Sequence, residues 1–210
     1  MTWQWIDMAN SPRKAHFDYF RTLQNPMVGV TAEVDVTDLV KHCKAESVSF
    51  YLAFMHVAAL AANDVPELRR RIRDGRVVEY DFCGTSHIEG MDDGSYCYCT
   101  LYHDRDWADY FPYAEAQRRR CREHASIEED DAVEGLYFIT CLPWVHYIQL
   151  MQPTAGGDES NPRISWGRYA PDWQGRLQLP VTLLCHHSLV DGIHIARFYH
   201  ALAERLQQFA

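Results

Sequence analysis

The sequence predicts a mixed fold of the α/β or α+β class. Apolar residues recur with a period of two in some segments and at helical spacing in others, and the two kinds mix along the whole chain. With 210 residues, 47% of them hydrophobic and 23% charged, the chain can bury a core without disulfide or metal staples. That length suits one large domain or two very small ones.

The elements follow in order. Ser11-Pro12 offers a cap and a first-turn proline for a helix over residues 12–23, with Phe17, Phe20 and Leu23 at helical spacing. Valines at 28, 30, 34 and 36 suit a strand over 27–36. Asp35-Val-Thr-Asp38 opens a short helix, and Ser47 opens the next. Residues 48–62 are the longest apolar stretch, but at 15 residues with Ser49 and His56 inside they read as a buried helix and not as a membrane span. That helix ends near Asn63, ahead of Pro66. Asp74-Gly75 is a turn dipeptide before a strand over 76–82. Aromatic and small residues alternate over 95–102, another strand. Helical character over 107–124 gives way to an acidic loop, and 136–142 is a strand ahead of Pro143-Trp144. Residues 154–162, with Gly156, Gly157 and Ser160, are the loosest stretch and suit a mobile surface loop. A strand follows at once, then another over 177–185. The chain closes with an amphipathic helix over 193–209, striped by Ile195, Phe198, Tyr199, Leu202, Leu206 and Phe209.

Charge narrows the function. Twenty-nine acidic residues against 20 basic ones give a formal −9, and a phosphate-backbone binder shows a basic stripe instead. The dense basic runs, 69–73 and 118–122, sit among acids: Glu67, Asp74 and Glu79 flank one, and Glu123, Glu128, Glu129, Asp130 and Asp131 follow the other. Both read as solvated helix faces, so no nucleic-acid partner is expected. The N-terminus lacks the basic-then-apolar order of a secretory signal. Seven cysteines at irregular spacing make no disulfide framework, and a cytoplasmic location is expected.

The strongest local signal is Cys185-His-His-Ser-Leu-Val-Asp-Gly192, at the junction of the last strand and the last helix. A neutral imidazole at His187, with an unperturbed pKa of ~6.5, can take a proton from an alcohol or thiol. Taken alone, the string reads equally as two polar loop histidines. Cys185, His186 and His187 lack the spacing of a zinc site, so no metal is expected. Cys97, Cys99 and Cys185 read as small buried apolar residues. His16, His42, His56, His87, His103, His124, His146, His194 and His200 read as packing or surface histidines.

The segment HHSLVDGIHIARFYHALAERL closely resembles the C-terminal signature of chloramphenicol acetyltransferases, a His-His-x-x-x-Asp-Gly run leading into His-x-Ala-Arg-Phe. Further motifs fall in the family's order: Arg13-Lys-Ala-His16-Phe17, Val34-Asp-Val-Thr37, Ser49-Phe-Tyr51, Glu67-Leu-Arg69 and Leu142-Pro-Trp144. The resemblance covers nearly the whole chain, and the total length agrees. It implies one domain over residues 1–210 and a two-layer sandwich with a mainly antiparallel mixed sheet. It also implies a homotrimer whose active sites lie between subunits.

Residue by residue, the resemblance implies the following. His187 is the general base that deprotonates an acceptor hydroxyl for attack on acetyl-CoA, in a ternary complex without an acyl-enzyme. Asp191 and Arg13 form a buried ion pair that shapes the site. Thr140 stands where the family has a serine that donates to the oxyanion, and it keeps the hydroxyl. Ser165 matches a threonine that acts on the transition state through water. Arg168 and Tyr169 match residues near coenzyme A. The acceptor pocket departs from the family: Phe20 replaces a tyrosine, Val28 an aromatic residue, Tyr98 a small residue and Gln152 an aliphatic one. Each such change is worth ~1–3 kcal/mol in discrimination. The expected function is therefore acetyl transfer from acetyl-CoA to a small apolar alcohol, chloramphenicol first, with antibiotic resistance as the outcome. The alternatives are a relative acting on another alcohol or a lipoamide-like thiol, as in dihydrolipoamide acyltransferases, and a non-catalytic binder of a small ligand. Peptide-synthetase condensation domains share a similar motif but are about twice as long.

Overall fold

The computed structural model describes residues 1–128 and 132–210. The expected acidic loop falls in part on residues 129–131, outside the described residues. The described chain runs β1 (Trp3–Ile6), α1 (Lys14–Arg21), β2 (Met27–Asp35), α2 (Thr37–Glu46), α3 (Phe50–Asn63), β3 (Arg70–Arg73), β4 (Arg76–Tyr80), β5 (Gly84–Gly90), β6 (Tyr96–Leu101), α4 (Trp107–Glu123), β7 (Leu136–Cys141), β8 (Arg163–Trp166), β9 (Ala170–Pro171), β10 (Leu177–His186) and α5 (Gly192–Gln207).

Local chemistry sets the boundaries. Asp35 Oδ1 accepts from the backbone N–H and the hydroxyl of Thr37 at 2.9 and 2.6 Å, which starts α2. Ser47 does not open the next helix. It closes α2 in the left-handed region, with φ 57°, and Ser49 is the cap of α3, its Oγ accepting from Leu52 N at 3.5 Å. Ten of the 14 residues of α3 are buried, which makes it the central helix. Asp74 and Gly75, both at positive φ, form the two-residue turn between β3 and β4.

One sheet is small and antiparallel, in the order β1-β4-β3. The other has seven strands, ordered β2-β10-β8-β7-β5-β6 with β9 beside β10. In it β7 runs parallel to both β5 and β8, and the remaining pairs are antiparallel. Helices cover one face of this sheet. Cys97, Cys99, His87, Ile139, Ile164, Trp166, Val181 and Leu183 are buried there. Phe54 of α3 packs edge-on against Trp166, with ring centroids 5.0 Å apart, and Cys97 Sγ donates to the Cys121 carbonyl on α4.

The other face carries a row of side chains across the strands. Thr140 pairs with Ser165, Ser165 with Thr182, and Thr182 with Thr31. The Thr31 and Thr182 hydroxyls are 2.7 Å apart. Ile88 and Tyr98 continue the row, one step beyond the His87–Ile139 pair. No described helix covers this row, and the coil over residues 142–162 lies against part of it, with Gln152 on Thr140 and Ser165 and Tyr147 on Thr182.

The basic runs differ from expectation. Residues 69–73 are not a solvated helix face. They finish a short 3₁₀ turn and form β3, and Arg71 is buried, its guanidinium donating to the carbonyls of Leu68, Arg70, Glu134 and Leu136. Residues 118–122 do lie on α4, but Arg118 and Arg122 both turn inward onto buried Glu89. No described helix is long and apolar enough to cross a membrane.

Candidate active site

The junction of β10 and α5 fixes two adjacent histidines in different ways. His186 Nε2 donates to the Gly157 carbonyl at 3.1 Å, and its Nδ1 accepts from Ser188 N at 3.2 Å. Both nitrogens are used, and burial keeps this imidazole below its ordinary range. His187 Nδ1 lies 2.9 Å from the Val190 carbonyl. A carbonyl can only accept, so in the neutral ring Nδ1 carries the proton and Nε2 keeps its lone pair. Phe20 lies flat on the His187 ring, with centroids 3.8 Å apart and planes 19° apart. The backbone N–H of His187 donates to the Pro26 carbonyl at 2.8 Å, which holds the loop before β2 beside the site.

Arg13 and Asp191 do form an ion pair, and Arg13 Nη2 also donates to the carbonyls of His187 and Ser188 at 3.4 and 3.3 Å. The pair is half-buried and not fully buried as expected: its side chains are 19% and 34% exposed. Asp191 Oδ1 is also 3.4 Å from His187 Nδ1, and its N–H donates to His194 Nδ1 at 2.9 Å. The turn is thus clamped from three sides.

Thr140 and Ser165 stand side by side on β7 and β8. Gln152, from the coil over residues 142–162, reaches both hydroxyls: its Nε2 donates to Thr140 Oγ1 at 2.7 Å, and Ser165 Oγ donates to its Oε1 at 3.2 Å. Two grooves meet at this bridge. The first, about 710 Å³, takes Gln152, Thr182, Thr31, Gly29, Met27 and Leu150 among its walls. The second, about 650 Å³, is walled by Thr140, Trp144, Arg168, Tyr169, Tyr51 and Arg118 among others. Gly167 lets the coil approach β8 here, because a Cβ at this position would lie 2.5 Å from the Val145 carbonyl. Arg168 N donates to that carbonyl at 2.8 Å, and its side chain is exposed.

The remaining expected residues lie apart. Val28 pairs with Cys185, packs against the apolar core and lines neither groove. Tyr98 lies in the row of Thr140, about 10 Å across two strand spacings, and lines a separate cleft with Arg120 and His124. The largest separation involves His187. The β10 residue beside Ser165 is Thr182, and five further residues of extended strand put His187 about 17 Å beyond it. A base and an oxyanion donor must each come within about 3 Å of the reacting group. One chain therefore does not bring His187 and Thr140 to the same carbon.

Sequence reasoning missed the bridge between Thr140 and Ser165, and it missed the carboxylate at Glu89 in the wall of the second groove. Glu89 accepts from Arg118, Arg122 and His87, and those bonds hold its carboxyl well below the usual carboxylate range although burial opposes them. Only the two arginines at helical spacing hinted at it.

The chloramphenicol acetyltransferase family profile matches residues 1–203. A chloramphenicol acetyltransferase of Escherichia coli is 25% identical over 213 residues, covering 95% of this chain and 91% of its own. A second enzyme of that species, chloramphenicol acetyltransferase 3, is 26% identical and covers 97% of both chains. A solved chloramphenicol acetyltransferase superposes with a TM-score of 0.83 at 27% identity, over 98% of this chain and all of that one. The cubic core of a pyruvate dehydrogenase multienzyme complex shares the fold, at a TM-score of 0.70 and 17% identity.

Proposed function

The chain belongs to the chloramphenicol acetyltransferase family, and from that premise we propose that it transfers the acetyl group of acetyl-CoA to a hydroxyl of chloramphenicol. The observation that carries this reading is the imidazole of His187, held in one tautomer by the Val190 carbonyl with Nε2 left basic. In the proposed reaction Nε2 takes the acceptor's hydroxyl proton as that oxygen bonds to the thioester carbon. The carbonyl oxygen becomes an oxyanion, to which Thr140 Oγ–H donates. Collapse breaks the carbon–sulfur bond, and the proton held on Nε2 passes to the CoA sulfur. Both substrates are present together, so no acyl-enzyme forms.

The second groove suits coenzyme A. Its aromatic walls include Trp144, Tyr169 and Tyr51, and at its rim Arg168 is an exposed cation with no ion-pair partner among the described residues. Phosphate groups suit such a guanidinium. The first groove, where Gln152 and Thr182 meet Met27 and Leu150, is assigned to the acceptor.

Because His187 lies far from Thr140 within one chain, the reading requires a second copy, and we assign the homotrimer of the family. In it His187 of one subunit faces Thr140, Ser165 and Gln152 of its neighbour. The sheet face that no described helix covers supports this assembly, as do Ile148 and Met151 beside it, 92% and 77% exposed. We place the reaction in the cytoplasm, where it would inactivate the antibiotic. The test is purified protein with acetyl-CoA and a thiol-reactive dye, with and without chloramphenicol. CoA release that depends on chloramphenicol is expected; release only with a different alcohol or with dihydrolipoamide would displace the acceptor, and ligand binding without release would displace catalysis.

A further inference from the structure

One amide spans the two hydroxyls on β7 and β8, and the directions of its hydrogen bonds carry chemical information. A hydroxyl has one proton and two lone pairs. Ser165 gives its proton to Gln152 Oε1, at 3.2 Å, and so has none for a reacting group. Thr140 only accepts from Gln152 Nε2, at 2.7 Å, so its own proton stays available. Among the described residues no other group takes that proton. A hydroxyl that accepts one hydrogen bond becomes a better donor in the next, because linked bonds polarise one another.

We propose that Gln152 is a positioning residue: its amide, anchored by Ser165, turns Thr140 Oγ–H toward the oxyanion that forms during acetyl transfer. The inference rests on the acetyl-transfer reading above and adds a role that is absent from it. Ser165 becomes the anchor of the amide, in place of the water-mediated role implied by the resemblance. The side chain at 152 acquires a task that the aliphatic residue of the family pattern has no groups to perform. Position supports this. Thr140 lines the second groove and Gln152 the first, so their bond lies where acyl donor and acceptor would meet. It also accounts for threonine at 140. Its β-branched side chain has few rotamers, and the amide selects one of them.

The reverse orientation of the amide would consume the Thr140 proton and leave Ser165 as the donor, so the two orientations make opposite claims. The test compares Thr140→Ala, Ser165→Ala, Gln152→Leu and the double variant Thr140→Ala/Gln152→Leu, each shown by its melting curve to be folded. Thr140→Ala should lower kcat by about 100-fold or more, as expected for loss of an oxyanion donor. Gln152→Leu should lower kcat about tenfold while KM for acetyl-CoA stays within about twofold, since the interaction acts in the transition state. In the Thr140→Ala background, the same Gln152→Leu change should alter kcat less than about twofold, because the group it positions is gone. Equal losses in both backgrounds, or a greater loss from Ser165→Ala than from Thr140→Ala, would overturn the proposal.

A second readout needs no acceptor. The side-chain amide ¹⁵N–¹H resonances of Gln152, recorded on the free protein, should shift in both Thr140→Ala and Ser165→Ala. Resonances unmoved in either variant would refute the bridge. Absence of CoA release by the wild type would instead count against chloramphenicol as the acceptor, and the amide resonances would still decide whether Gln152 bridges the two hydroxyls on which its role depends.

Discussion

His186 and His187 are neighbours in sequence with opposite prospects. Both nitrogens of His186 are engaged, whereas His187 has one tied to the Val190 carbonyl and the other basic. His187→Ala should therefore cost about 100- to 10,000-fold in kcat with little change in melting temperature. His186→Ala should cut the tether to Gly157 and act mainly on stability; a reversal of the two effects in kcat and melting assays would show that the base is misassigned. Arg13→Ala and Asp191→Asn should each lower stability by about 1–3 kcal/mol, less than for a fully buried pair because water reaches this one. Denaturant unfolding should show a double variant less impaired than the sum of the singles. His187, Asp191 and Arg13 were legible in the sequence because their motifs are local strings. Gln152 was legible only as a departure from the family pattern, since nothing local says that this coil residue returns to Thr140, 12 residues earlier.

Elements with a plain apolar rhythm were legible: α3, β6, β10 and α5 start and stop within a few residues of where periodicity puts them. Strand β5 was not, because its inward residues are Thr85, His87 and Glu89, polar groups that pair with one another and with His103, Arg118 and Arg122 far along the chain. The cap at Ser47 was misplaced for a related reason, as a serine two residues from another gives no sign of the left-handed backbone that closes α2. The polar core between α3, β5 and α4 has a consequence for stability. His56 Nδ1 lies 3.3 Å from His103 Nδ1, and His103 Nε2 lies 2.9 Å from Thr85 Oγ1. Burial pushes His56 down to about 4 and His103 below its ordinary range. Between the folded and unfolded values the unfolded chain holds the extra proton. Stability is thus complete above the unfolded pKa of ~6.5 and falls as pH drops below it, by about 2 kcal/mol for His56 between pH 7 and pH 5. Urea unfolding across that range should show the decline, and a folded His56→Asn variant should show less of it. A profile as steep in the variant as in the wild type would place the titration elsewhere.

At the scale of the whole molecule, the chain holds the parts of the proposed site in two places. The base lies at the end of β10 with Phe20 stacked on it, and the hydroxyl pair lies in the row across β7 and β8, about 17 Å along the strand direction. A sheet face that no described helix covers, with exposed apolar side chains beside it, leaves room for a second copy to bring the parts together. The formal charge of −9 per chain fits such an assembly if its interfaces are largely neutral and the charges stay at the rim. The most direct measurement mixes two inactive variants. His187→Ala lacks the base, Thr140→Ala lacks the oxyanion donor, and each retains what the other has lost. Co-expressed in equal amounts and purified together, they should recover roughly one quarter of wild-type activity if each site takes its base from one subunit and its donor from the next. Activity no higher than the average of the two variants alone, in assemblies shown to contain both chains, would mean that each site is built within one chain.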